Sequence, residues 1–225
     1  MPASGNIVEL RRVLAERFPH SSLALERRKP GATRATGIPA LDELLGGGLP
    51  QGELTELVGA GPGSGSAQVI HAVLQRTASE GQFLALVDGA DSFDVDTVEP
   101  DVLARLLWVR CAQAEEALKA TDLLLRDRNF PIVVLDLKLN PLTELRKISS
   151  SVWFRFRRLL EQNQTTFLVV TPHPLVGGAA CRVRVESRLG LGALEQSPSA
   201  VLNQLQFDLL RSAEKTASDT TAQIG

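Results

Sequence analysis

The chain has 225 residues, of which 44% are hydrophobic and 22% charged, and its formal net charge is −2. That size and balance suit one sizeable α/β domain with short appendages and exclude a protein that coats nucleic acid by bulk positive charge, though local basic patches stay open. No apolar run approaches the roughly 18 to 20 residues of a membrane span, and MPASGNIVELRR has no signal-peptide core, so a cytoplasmic protein without membrane contact is expected. Cys111 and Cys181 lie far apart without metal-ligand spacing and read as reduced core thiols.

In chain order, Ile7, Leu10, Leu14 and Phe18 recur at helical spacing, with Val13 beside them, and predict a short N-terminal helix. This apolar stripe could fold back on its own domain or dock another chain. The stretch on to residue 34 is basic, with Pro and Gly, and reads as a linker, so residues 1–34 form an N-terminal helix and basic linker. A short helix should start at Pro39 and stop at Gly46-Gly47-Gly48. ELTELV (53–58) reads as a strand entering a glycine-rich loop. Val69, Ile70, Val73 and Leu74 give the following helix an apolar face. QFLALV (82–87), LLWV (106–109), PIVVLD (131–136) and TTFLVV (165–170) are further strands. Residues 113–127 predict a helix with Ala114, Ala117, Leu118, Thr121, Leu124 and Leu125 inward. A single long helix is expected from Leu142 through Leu145, Ile148, Val152, Phe156 and Leu159.

Strands alternating with helices imply a mostly parallel sheet covered on both faces, a three-layer α/β domain. Near the C-terminus the pattern changes. RVRVES (182–187) alternates strictly and QLQFDLL (204–210) places Leu205, Phe207 and Leu209 on one face, predicting antiparallel strands. The core should run from 35 to 211, and the small, polar tail 212–225 is expected to be disordered.

VGAGPGSGSAQVI (58–70) resembles a phosphate-binding loop, G-x-x-x-x-G-K-(S/T), running into a helix. Laid from Gly59, it has Ser64 at the second glycine, Gly65 at the lysine and Ser66 at the hydroxyl. Shifted by one, Gly65 is the second glycine, but Ala60, Ser66 and Ala67 fill the other three positions. Neither register has a lysine, and none occurs between Lys29 and Lys119, so none is expected from nearby sequence. Backbone amides and the helix dipole still favour an anion, while the cation that stabilises transferring phosphates is missing. Gly59, Gly61, Gly63, Ser64, Gly65 and Ser66 are therefore either a degenerate site holding nucleotide weakly or a plain strand-to-helix turn. Asp136, closing PIVVLD, is a matching acid or a simple cap.

TGIPALDELLGGGLPQGELTELVG (36–59) is similar to the segment that leads into the phosphate-binding strand in the RecA/KaiC superfamily, where the phrase T-G-(I/V)-x-x-L-D-x-L-L-G-G-G-(L/I)-P-x-G occurs. The likeness in element order extends to about residue 210. It implies a RecA-like domain and places Asp136 where these proteins carry a magnesium-supporting acid. ALVDGADSFD (85–94) resembles the segment with a catalytic glutamate two residues after an aspartate. Here Asp88 is followed by Gly89 and Ala90, so the glutamate position is Ala90, with Asp91 adjacent. With both lysine and glutamate absent, ATPase activity is not expected and no cofactor is required, although weak ATP binding stays open. Within the superfamily the chain most resembles the ImuA family of bacterial mutagenesis cassettes and its SulA-type relatives. That resemblance implies a catalytically degenerate accessory protein of the SOS response and translesion synthesis. Its partners would be an ImuB-type Y-family polymerase homologue, a RecA filament or an error-prone polymerase. The alternatives are an active RecA/KaiC-type ATPase that binds DNA, and a SulA-like division inhibitor whose partner is the FtsZ filament.

RecA-type recombinases hold single-stranded DNA on loops after the last core strands. The matching TPHPLVGGAAC (171–181) is short and has no Lys or Arg, so its phosphate contribution should be small. His173 there is more simply an incidental turn residue. LRKISSSVWFRFRR (145–158) concentrates Arg146, Lys147, Arg155, Arg157 and Arg158 around Trp153, Phe154 and Phe156. Such a stretch suits a partner or single-stranded DNA, or a solvated cationic face over a core stripe. Trp153 and Phe156 fit the core, and Phe154 is the candidate contact.

Overall fold

In the computed structural model, residues 31–61, 63–187 and 198–212 are described. The expected N-terminal helix with Ile7, Leu10, Val13, Leu14 and Phe18, and the tail beyond Ser212, lie outside them. No described helix is long and apolar enough to cross a membrane.

The described chain opens with β1 (Thr33–Arg34), which pairs with β2 (Leu49–Pro50) around the helix α1 (Pro39–Leu44). Pro39 sits at the first turn of α1 and Asp42 turns back to accept the N–H and the hydroxyl of Thr36. β3 (Leu54–Val58) then delivers the glycine loop to α2 (Ser66–Ser79). β4 (Leu84–Asp88), the short α3 (Pro100–Leu103) and β5 (Leu106–Arg110) follow. α4 (Ala114–Asp127) leads to β6 (Ile132–Asp136).

The single helix expected from Leu142 to Leu159 is in fact two, α5 (Leu142–Leu145) and α6 (Ser150–Leu160). The three serines explain the break. Ser149 is extended, and its hydroxyl accepts the N–H of Ser151, which starts a new helix. β7 (Thr166–Thr171), β8 (Cys181–Ser187), α7 (Pro198–Leu202) and β9 (Leu205–Ser212) complete the order.

The main sheet runs β5-β4-β6-β7-β3-β8-β9, parallel throughout except for the antiparallel β8–β9 pair. It is the three-layer α/β arrangement expected of a RecA-like fold. Alternate side chains of each buried strand feed separate cores. Val133 and Leu135 face α4 and α6 together with Trp153, Phe156 and Phe167, whereas Ile132 and Val134 face α1 and α2. Cys111 is a buried thiol whose pKa burial pushes up to about 12, and Cys181 is half-buried in β8.

At the centre of the sheet stands a charge. Glu56 of β3 has no exposed surface. Its carboxylate accepts the Thr171 hydroxyl at 3.0 Å, the N–H groups of Leu175 and Val176 at 2.6 and 3.0 Å, and the Arg182 guanidinium. Arg182 also donates to the Val176 carbonyl at 2.7 Å. Removing one partner of a buried pair strands the other charge, at about 3–5 kcal/mol. The Arg182 side chain keeps 20% exposure, so Glu56→Gln should lower stability by about 3 kcal/mol, the low end of that range. Urea unfolding measures it, and adding Arg182→Met should recover part of the loss.

Candidate functional site

The glycine loop leaves the C-terminal end of β3, the edge of a parallel sheet where ligands of α/β folds gather. The ladder runs on past the strands, with Gly59 N–H donating to Thr171 O and Leu137 N–H to Val170 O, both at 2.9 Å. Gly65 stands just ahead of α2 at φ 93°, a left-handed conformation that glycine adopts without strain. A Cβ there would lie 2.5 Å from Cδ2 of Leu205, at the start of β9. A side chain at position 65 would therefore have to displace the tip of the buried Leu205 side chain and adopt a strained left-handed φ. Ser64 and Ser66 are buried, their hydroxyls 3.5 Å apart.

Nearby sequence supplies no lysine to the loop, but the fold brings one from a distant element. Lys138, two residues beyond β6, donates its ammonium to the Gly59 carbonyl, to the Gly61 carbonyl at 2.7 Å and to the Ser64 hydroxyl at 3.0 Å. β7 lies between β6 and β3, so the lysine stem bridges two strand spacings of roughly 4.8 Å each. Gly59 makes the approach feasible, because a Cβ there would sit 3.2 Å from the Lys138 ammonium. Burial pulls the ammonium below its ordinary pKa, and Asp136 pulls the other way. The sequence carried one cue, an apolar strand ending Asp-x-Lys. Its relation to a loop 79 residues away appears only once the sheet order is known.

Asp136 caps its own strand end, with Oδ1 accepting the Lys138 N–H at 2.9 Å. Its register neighbour is Asp88. Burial first, then the Asp88 charge, push the Asp136 carboxyl up to about 6, against the Lys138 N–H and ammonium. Asp88 is consumed by local structure. It accepts the N–H groups of Ser92 and Phe93 at 2.7 and 2.8 Å and the Trp108 indole at 3.3 Å, and so folds the turn that contains Ala90. Asp91 does not replace the missing glutamate. Its carboxylate is held by Arg110 in a two-pronged pair at 2.6 and 2.7 Å, and this contact also holds its pKa down. Gly61 and Gly63 have open space around them.

The basic cluster separates into distinct roles. Trp153 and Phe156 are core, 2% and 0% exposed, whereas Phe154 is 62% exposed. Arg155 pairs with Asp122 on α4 at 2.7 Å. Arg157 is half-buried, its guanidinium against Gly178. Arg146, Lys147 and Arg158 are exposed, without a carboxylate partner among the described residues. The cluster and the glycine loop are thus separate features, one on α6 and the helix break before it, the other at the end of β3. The 172–180 connection, where His173 lies, is fastened to Glu56 and Arg182 rather than free to wrap a strand.

A glycine loop at the end of a parallel strand, an acid closing the strand two places away and an antiparallel final pair are the features of a RecA-like fold. The chain matches no family model. It is 26% identical to the protein RecA of Clavibacter michiganensis over 203 residues, covering 77% of this chain and 56% of that protein. It is 36% identical to the DNA repair protein RAD51 homolog 4 of Mus musculus over 132 residues, 56% of this chain and 38% of that one. Against RecA of Nocardia farcinica it is 33% identical over 120 residues, 51% of this chain and 33% of that one. The matched stretch thus spans between a third and just over half of these relatives, and the likeness supports the RecA-like superfamily.

Two outcomes follow from this geometry. A carboxyl raised above its ordinary 3.8 binds its proton more tightly in the folded state, so its contribution is complete below 3.8 and is lost as pH rises to about 6. Asp136→Asn should flatten the decline in melting temperature across that window and leave the protein more stable at pH 7. Restoring the absent side chain by Gly65→Lys should lower stability by about 1–3 kcal/mol, from the left-handed φ and the Leu205 contact, without gain of ATP turnover. Calorimetric melts and a phosphate-release assay check both parts.

Proposed function

We propose that this chain is a RecA-like accessory protein of DNA-damage tolerance that acts through protein contacts and does not hydrolyse ATP. One observation carries the reading: the lysine position of the loop is closed by Leu205 and lies at a left-handed φ. The turn at Ala90 adds to it, since no carboxylate is presented there to activate water and the adjacent Asp91 is held by Arg110. The similarity to RecA and to the DNA repair protein RAD51 homolog 4 supports a repair setting, and a cytoplasmic location is part of the same proposal. The resemblance to the ImuA family narrows this to translesion synthesis in the SOS response. The partner would be a RecA filament, an ImuB-type Y-family polymerase homologue or an error-prone polymerase. The contacting face is the outer side of α6, where Phe154 projects beside Arg158, with Arg146 and Lys147 at its approach. An exposed aromatic among unpaired cations is the composition of an interface anchor.

An active ATPase is the second reading, favoured by the Lys138 ammonium in the loop. The two separate cleanly. Purified protein should release no phosphate from ATP above background, with or without single-stranded DNA. Turnover stimulated by single-stranded DNA and lost in Asp136→Ala would sink the accessory reading. Binding to RecA filaments on single-stranded DNA, followed by co-sedimentation, should weaken about tenfold in Phe154→Ala/Arg158→Glu, the size of a loss of one interface anchor.

A further inference from the structure

The glycine loop contains a cation whose direct contacts are all neutral, with the Asp136 charge acting on it only from beyond ion-pair distance. The Lys138 ammonium touches three neutral acceptors, the Gly59 and Gly61 carbonyls and the Ser64 hydroxyl. Among the described residues no carboxylate lies within ion-pair distance of it. Asp136, its nearest acid along the chain, is engaged by the Lys138 backbone N–H instead. A charge drawn partly out of water, with no carboxylate in direct contact, favours the arrival of an anion.

The surroundings favour the same sign of ligand. α2 is 14 residues long and begins at this loop with no acid in its first turn, so its positive end is uncompensated. The buried Ser64 and Ser66 hydroxyls stand beside it, and Gly61 and Gly63 have open space where a side chain would otherwise stand. An anion with several phosphate oxygens suits this donor set. The lysine side chain can reorient as well. Its four-carbon stem carries three rotatable donors, and a charge-assisted bond to phosphate is roughly twice as strong as one to a neutral carbonyl.

We propose that Lys138, carried by the strand end two strands away, is the phosphate-binding cation of this loop. It rests on neutral loop oxygens and transfers its ammonium to the phosphates of a polyphosphate chain, with a nucleoside triphosphate as the fitting class. The missing loop lysine is thereby replaced from another element rather than lost. The inference deepens the reading given above, since the loop then holds a nucleotide as a bound ligand with nothing placed at Ala90 to turn it over.

The test is calorimetric titration of the purified chain with inorganic tripolyphosphate and, separately, with ATP, in wild type, Lys138→Met and Lys138→Arg. Wild type should bind both. Lys138→Met should weaken binding about tenfold or more, as expected for loss of one charge-assisted hydrogen bond, and Lys138→Arg should retain most of it. In the wild-type protein, which needs no variant to fold, tripolyphosphate should protect Lys138 from amine-reactive labelling read by mass spectrometry. Equal or tighter binding in Lys138→Met would overturn the proposal and make the lysine a plug. So would the absence of tripolyphosphate binding at millimolar concentration, or undiminished labelling of Lys138. The two readings fail separately. Phosphate release would overturn the accessory role while leaving the lysine assignment to the binding data.

Discussion

A single carboxylate without solvent exposure ties the middle of the sheet together. Glu56 lies on the strand that bears the glycine loop, and its partners come from the end of β7, from the connection after it and from β8. A buried charge is tolerated when its lone pairs are filled, and here a hydroxyl, two backbone N–H groups and a guanidinium fill them. The gain is positional rather than a large net stabilisation. It fixes how β3, β7 and β8 end relative to one another, and those ends carry or flank the loop and the final pair.

That arrangement decides what the connection after β7 can do. A loop that binds single-stranded DNA has to present cations and adapt to a strand. Residues 172–180 present neither Lys nor Arg, and their N–H groups at 175 and 176 are committed inward, with Val176 and Ala179 buried beneath. The cations without a carboxylate partner named above lie elsewhere, around α6, a helix whose inner face is Trp153 and Phe156 stacked edge-on towards Phe167. The exposed basic and aromatic surface and the glycine loop thus occupy different elements of one domain.

Much of the architecture is legible in the sequence because it is written in local periodicity. Buried parallel strands such as IVVLD and TFLVVT read as apolar runs, and the alternating β8–β9 pair announces its half-exposed character. The boundary at Ser149 was less visible, because a capping serine interrupts the apolar period by hydrogen bonding without changing that period. The absence of a loop lysine could be read directly, but its permanence could not. That depends on Leu205, 140 residues on, standing where a Cβ at position 65 would point. Lys138 escaped for the same reason: a sheet order of β6-β7-β3 brings together residues that no spacing rule connects.

Leu205 also bears on how such a domain drifts through descent. A catalytic residue lost by point substitution can ordinarily return by the reverse substitution. Here the tip of Leu205 lies in the space that a side chain at 65 would enter, and the backbone there has the hand that glycine adopts most comfortably. Placing a lysine at 65 then requires the Leu205 side chain to move and the turn to bear strain before the new side chain brings any benefit. Intermediates on that route would be less stable than either end, so selection for stability alone would hold the lineage on the near side. The packing works as a ratchet against a side chain at that one position, while leaving the surface of the domain free to diversify.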